Sequence, residues 1–368
     1  MLNILSNRTY RHLFMAQVIA LIGTGLATVA LGLLAYDLAG DRAGAVLGTA
    51  LAIKMSAYIL VAPVAAAFAD KFPRRTMLVT LDLVRALVAI TLPFVTQIWE
   101  IYILIFILQA ASAAFTPTFQ ATIPDILPDE REYTRALSLS RLAYDLESVI
   151  SPMLAAALLT VMSFHNLFAG TAVGFLASAA LVVSVTLPKM KALTVKRSIY
   201  DKTTRGMRIF LKTPRLRGLL ALNMAVAAAS AMVIVNTVVL VQADFGFSQR
   251  STAIALAFFG VGSMVSALVL PRLLDNMSDR MPMLAGTALL VIGLGSGIFL
   301  KDYITLVVLW ALLGVGYSLS QTPGGRLLRR SSTAEDRPAL FAAQFALSHS
   351  CWLVTYPLAG WVDRKSVV

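Results

Sequence analysis

What limits this chain most is a series of eleven apolar runs, each of roughly 18 residues or more, the length that crosses a bilayer core of about 30 Å as a helix. They fall at about 13–36, 44–69, 77–96, 99–120, 139–162, 166–187, 217–243, 251–274, 281–300, 304–321 and 339–361. Composition agrees: 58% of the 368 residues are hydrophobic and only 14% are charged, too little polar surface for a soluble protein of this size. The runs are too long, and too uniformly apolar, for the alternating strands of a membrane β-barrel. The reading is an all-α polytopic membrane protein. The first run begins near Leu13 without a small-residue cleavage site, so it is read as a span and not as a removable leader.

The net charge of +12 would suit a nucleic-acid binder, but its placement argues for membrane topology. Basic residues gather in alternate connectors: Arg8 and Arg11, Lys71 to Arg75, Arg131 to Arg141, the stretch 188–216, Arg272 and Arg280, and Arg326 to Arg337. The opposite connectors and the C-terminal tail hold only Arg42, Arg250, Lys301, Arg364 and Lys365. By the positive-inside rule the N-terminus is expected in the cytoplasm, and no nucleic-acid partner is expected. The single Cys351 permits no internal disulfide, and His12, His165 and His349 are scattered without zinc spacing, so neither a metal site nor a cofactor is expected. No Ser/His, paired-Asp or His-cluster arrangement suggests an enzyme.

Three domains are expected: a six-helix bundle at 1–187, a basic linker with an amphipathic helix at 188–216, and a second bundle at 217–368. From the linker to Arg217, ten Lys and Arg side chains interleave with Met207, Ile209, Phe210 and Leu211, a pattern that suits a helix lying on anionic lipid. The two bundles align at an offset of 205. Asp70 falls on Asp275, Arg75 on Arg280, the acidic stretch 129–132 on 334–337, and Pro152 on Pro357. The chain therefore reads as a six-plus-six duplication. The same offset would place a twelfth span at about 371–392, beyond Val368, so the last helix is expected to be missing.

The turn after the second span, Ala66-Ala67-Phe68-Ala69-Asp70-Lys71-Phe72-Pro73-Arg74-Arg75, resembles the G-x-x-x-D-R-x-G-R-R/K motif of the major facilitator superfamily, with Ala66 and Pro73 in place of the glycines. The run from Phe115 to Asp125, followed by Ala136-Leu137-Ser138, is similar to the drug:proton antiporter branch that includes macrolide and siderophore exporters. The resemblance implies two helical bundles with about eleven of twelve spans present, in the cytoplasmic (inner) membrane of a bacterium. It also implies a latch in which Asp70 lies near the positive N-terminus of the eleventh helix while Arg74 pairs with Asp125, with Lys71 and Arg75 completing the motif.

Charges inside spans point to the working site, because each costs roughly 2.5–3.5 kcal/mol at the bilayer centre unless paired or facing a cavity. Lys54 lies near the midplane of the second span with no acid one turn away. Asp82 and Arg85, at i,i+3, serve either as a structural ion pair or in the pathway. In the fifth span Arg141 and Asp145 are i,i+4 neighbours, whereas Glu147 lies deeper. There Glu147 is read as a proton carrier or as the partner of Lys54. Ser151 and Pro152 stand where antiporters of the family carry a glycine- and proline-rich packing motif, and small residues there allow close helix approach. Gln17, Gln109, Asn223, Asn236, Tyr317 and Gln321 add polar groups inside spans.

The expectation is a monomeric secondary transporter working by alternating access, exporting a small amphiphilic or cationic molecule in exchange for protons. Its partners are then the substrate, protons and the lipid bilayer. The alternatives are a metal-ion or siderophore-like metabolite exporter and, from another class, a non-transporting membrane receptor or scaffold.

Overall fold

The computed structural model describes residues 2–39, 43–68, 71–188, 198–275 and 277–366. Its long helices are α1 (Arg8–Ala39), α2 (Ala43–Phe68), α3 (Arg74–Thr91), α4 (Ile98–Ile126), α5 (Glu130–Leu159) and α6 (His165–Val183) in the first half. The second half holds α7 (Ile199–Lys212), α8 (Pro214–Val238), α9 (Gln249–Leu274), α10 (Arg280–Ser296), α11 (Tyr303–Gln321), α12 (Gly324–Arg330) and α13 (Arg337–Ser366). Nine described helices are long and apolar enough, by length and composition, to cross a membrane. With the more highly charged α5 and α13, they occupy all eleven positions read from the sequence.

Helix starts follow local chemistry. Asp129 caps α5 by accepting from the backbone N–H groups of Arg131 and Glu132, both at 2.9 Å. Gln97 and Glu100 form a capping box at α4, and Asp302 with Thr305 does the same at α11. Pro73 and Thr213-Pro214 end the preceding segments and open α3 and α8.

The duplication is written into these boundaries. Shifting the starts of α1 to α4 by 205 lands within one residue of the starts of α8, α9, α10 and α11, and the 3₁₀ turn Leu92–Phe94 recurs at Gly297–Phe299. Packing repeats as well. In the first half α1 lies on α5 and α6, α2 on α4, and α3 on α4 and α6; in the second, α8 lies on α13, and both α9 and α10 on α11. Between the halves, α2 meets α13 and α5 meets α9, two crossings that the repeat relates to one another. The architecture is two bundles joined across these seams. One copy departs from the other: α4 runs unbroken to Ile126, while its counterpart is interrupted at Thr322-Pro323 into α11 and α12.

The linker's helix exists as α7, and its Phe210 side packs on protein, while Ile199, Tyr200 and Leu211 stay exposed. Phe210 is fully buried in a cluster with Leu216, Leu219, Met283, Leu328, Leu340 and Phe341. Gly206 lies so close to the Ala339 carbonyl of α13 that a Cβ would overlap it. Arg205 adds a fork of hydrogen bonds to Asp336, from Nε at 2.5 Å and from the guanidinium tip at 2.9 Å. Residues 189–197 lie outside the described residues.

Candidate transport pathway

The α2–α13 seam brings Lys54 into an aromatic setting. Its ammonium lies 5.7 Å above the ring of Tyr58, one turn along α2. Tyr58 is held by donating its hydroxyl to Gln109 Oε1 on α4, at 2.9 Å. From α13, Phe345 and His349 close on the same ring, with centroids at 5.0 and 4.6 Å. Nδ1 of His349 sits 2.7 Å from the Phe345 carbonyl, so it carries the proton and leaves Nε2 as an acceptor. These pairs are i,i+4 repeats, Lys54 with Tyr58 and Phe345 with His349, which put each couple on one helix face.

The second link between the halves comes from α5. Arg141 is paired with Asp145 and donates to the Tyr317 hydroxyl of α11 at 3.0 Å. Its guanidinium also lies 4.4 Å over the Tyr317 ring, which in turn packs on Phe259 of α9 at 5.6 Å. Two residues beyond Asp145 comes Glu147, half-buried, with Oε1 beside α1. A Cβ at Gly25 would stand 2.7 Å from that oxygen and would overlap Ser151, which is fully buried. Gly25 is thus what lets α1 and α5 close around Glu147. The charge of Lys54 acts on Glu147, yet neither is in ion-pair contact with another described residue. Lys54 thus stands where α2 meets α13, and the Glu147 carboxyl where α5 meets α1, with no direct bond between them.

Asp82 and Arg85 belong elsewhere. They pair with each other in the interior of the first bundle, 0% and 4% exposed. Ser178 of α6 donates to Asp82 at 2.8 Å, and the Arg85 guanidinium is clasped between Phe115 at 4.1 Å and Phe175 at 4.5 Å. Every group around them comes from the first half. Of the two sequence readings, the geometry favours the structural pair over a place in the pathway.

At the end of the molecule where the basic residues gather, Arg74 pairs with Asp125. The other oxygen of Asp125 accepts from Arg337 at the start of α13, a partner the sequence reading missed. Arg75 donates to the Val183 carbonyl of α6, and Lys71 lies 4.7 Å over the Phe68 ring. Asp70 and the side chain of Pro152 lie outside the described residues. Among the described residues no three His, Cys, Asp or Glu side chains gather as a metal ion would need.

Comparison with known proteins adds an independent line. A family model described as Major Facilitator Superfamily matches residues 13–236 and 219–365. The chain is 24% identical over 296 residues to the uncharacterized MFS-type transporter YfiS of Bacillus subtilis, covering 77% of this chain and 70% of that protein. It is 25% identical over 154 residues to macrolide efflux protein A of Enterococcus faecalis, 39% of this chain and 47% of that protein. Multidrug resistance protein MdtG of Dickeya zeae is 28% identical over 162 residues, 44% and 40% of the two chains. Among solved structures, the E. coli fucose:proton symporter FucP superposes with a TM-score of 0.77 at 11% identity, covering 97% of this chain and 92% of that one. The human organic anion transporter MFSD10 gives 0.75 at 13% identity, over 95% and 92%.

Proposed function

The chain belongs to the Major Facilitator Superfamily, a membrane transporter and not an enzyme, and from that membership we propose that it exports a small amphiphilic or cationic compound in exchange for protons. The observation that carries the proposal is Glu147, a half-buried carboxyl packed against Gly25 of α1 on α5, the helix that meets α9 of the other bundle, with the charge of Lys54 acting on it. An ionised Glu147 offers a cationic substrate a partner, and a proton arriving at the same carboxylate displaces that substrate. Lys54 keeps the site near neutrality while the acid is ionised, and Asp145 ties Arg141 to Tyr317 across the seam. Tyr58, Phe345, His349 and Phe259 supply aromatic faces for an apolar body. The direction follows the efflux-type relatives.

We place the basic end in the cytoplasm of a bacterial inner membrane, the chain acting as a monomer with a first bundle at 1–187, a linker at 188–216 and a second bundle at 217–368. On this reading the Asp125 pairs hold the cytoplasmic side shut in the outward-facing state of an alternating-access cycle. Lys71, Arg74, Arg75 and Asp70 supply the gating turn, and Ser151 with Pro152 the close packing of α5. The test is uptake by inverted membrane vesicles that carry an imposed pH gradient, offered a panel of macrolides and cationic dyes. Accumulation that collapses with a protonophore, and with Glu147→Gln, supports the reading. Accumulation indifferent to both overturns it.

A further inference from the structure

The repeat offset of 205 places Arg74 on residue 279 and Asp125 on residue 330, and these are Asp279 and Arg330. Both couples are formed: Arg74 with Asp125 in the first half, and Asp279 with Arg330 at 2.7 Å in the second. The resemblance continues across the seam. Asp125 reaches over to Arg337, the first residue of α13. Arg330 reaches the other way at 2.6 Å to Glu130, the first residue of α5, the helix that α13 repeats. Each arrangement joins the start of a third helix, the end of a fourth and the start of the opposite bundle's fifth. At all three places the sign of the charge is reversed.

We propose that Glu130, Asp279, Arg326 and Arg330 form a second latch, a polarity-inverted copy of Arg74–Asp125–Arg337, and that these residues position the bundles for closure of the basic end. The proposal rests on the alternating-access reading above. Arg326 completes the second latch, 3.1 Å from Asp279 and 3.4 Å from Glu130, leaving two acids and two bases in balance. Asp279 and Arg326 are nearly buried, 5% and 8% exposed in their side chains, while Arg330 and Glu130 form the exposed outer bond at 43% and 41%. A buried anchor in one bundle thus aims a charge at the other.

Inversion has a physical consequence that an unaltered duplicate would lack. The first half offers acids across the seam, Asp125 and Glu130, and the second offers Arg337, Arg330 and Arg326. Arg329 adds to the same sense by donating to the Pro128 carbonyl and lying 5.1 Å over Tyr133. Among the described residues, the exposed pair Arg131–Asp275, at 3.5 Å, runs the other way. Faces biased toward opposite signs attract each other at longer range than evenly mixed faces, and each is less suited to a copy of itself. Closure is therefore steered toward the one partner the chain provides.

Spin labels at Arg131→Cys and Asp275→Cys, on exposed sites of opposite bundles, report the gap at the basic end of the full chain in lipid nanodiscs; the native Cys351 is buried. The parent chain should give a dominant short distance. Arg330→Glu should lower that population at least about threefold, the scale of a partly exposed charge pair that is lost and reversed. Reversing the whole latch, with Asp279→Arg, Glu130→Arg, Arg326→Glu and Arg330→Glu together, should restore it, which a merely structural role would not do. A short distance unchanged by Arg330→Glu, or a gap left open by the reversal of all four residues, overturns the proposal. Should Arg330→Glu not elute as a monodisperse protein, Glu130→Gln takes its place, and an unchanged short distance there overturns it equally. The measurement needs no substrate or proton gradient, so failure of the export reading in vesicles is a separate result.

Discussion

Removing Arg85 tests whether the charges of α3 hold the first bundle together or lie on the transport route. In Arg85→Met the Asp82 carboxylate, 0% exposed, keeps only the Ser178 hydroxyl, and the clasp between Phe115 and Phe175 is emptied of its cation. Breaking a buried pair by removing one partner costs about 3–5 kcal/mol, because an uncompensated charge stays behind. Replacing both partners by apolar groups is instead near neutral or stabilising, so Asp82→Leu with Arg85→Met should recover most of that loss. The coupling of the two sites should then be about as large as the single-variant cost, the signature of contacting residues. The assay is thermal unfolding followed by intrinsic fluorescence in nanodiscs, for parent, both single variants and the double variant, with vesicle transport measured alongside. The singles should unfold well below the parent, and the double should unfold near it and still transport. A stable, well-folded double variant that has lost transport would refute the reasoning and return Asp82 and Arg85 to the pathway.

Four further outcomes follow from the geometry. Glu147→Gln should abolish the pH-driven component of transport while leaving binding of a neutral substrate within a few fold, read by vesicle uptake and by fluorescence titration; Lys54→Gln should weaken both. Gly314→Ala pushes a Cβ into the Phe259 carbonyl at the α9–α11 crossing, and overpacking of this kind costs about 1–3 kcal/mol, visible as a lowered unfolding temperature. Tyr317→Phe removes the acceptor for Arg141 but keeps the ring beneath it, so it should slow transport without changing thermal stability much. The N-cap Asp129 is held below the usual carboxylate range by the backbone N–H groups of Glu132 and Arg131. Its stabilising contribution is therefore present above the unfolded value of about 4 and is lost as pH falls through the folded one; the unfolding-temperature gap between parent and Asp129→Asn should shrink below about pH 4, and a gap constant with pH would count against this cap.

Burial next to its arginine partners sets a contrast at the second latch. Desolvation pushes the Asp279 carboxyl up despite Arg326 and Arg330. Glu130, also opposed by desolvation, is held down by its hydrogen bond from Arg330 and the charge of Arg326. One acid of the latch thus takes a proton more readily than the other. Mild acid should loosen the anchor at Asp279 before the bond at Glu130, and salt should weaken the more exposed outer bond first.

Much of this protein is legible in one dimension because a bilayer leaves helices few alternatives. Backbone polar groups must be satisfied within each span, so apolar length alone marks the helices, and all eleven lie where the runs do. Duplication is legible too, since an offset survives in charged landmarks even when apolar residues interchange freely. Charge inside a span marks Lys54, Asp82, Arg85, Asp145 and Glu147 as places that need an explanation. Which explanation applies is decided only in three dimensions. Sequence spacing gives Asp82–Arg85 and Arg141–Asp145 the same standing as helical neighbours, but Phe115 and Phe175 seal the first pair inside one bundle while Tyr317 draws the second across the seam. The amphipathic pattern of α7 fixes a helix with one apolar face, and whether lipid or α13 covers that face depends on Gly206 and Ala339, which no local pattern relates. Arg337 finds Asp125 over 212 positions of chain. Local chemistry determines which segments are helices and where they end; partners so far apart in sequence are chosen by the packing of the bundles, and that packing brings scattered charges together.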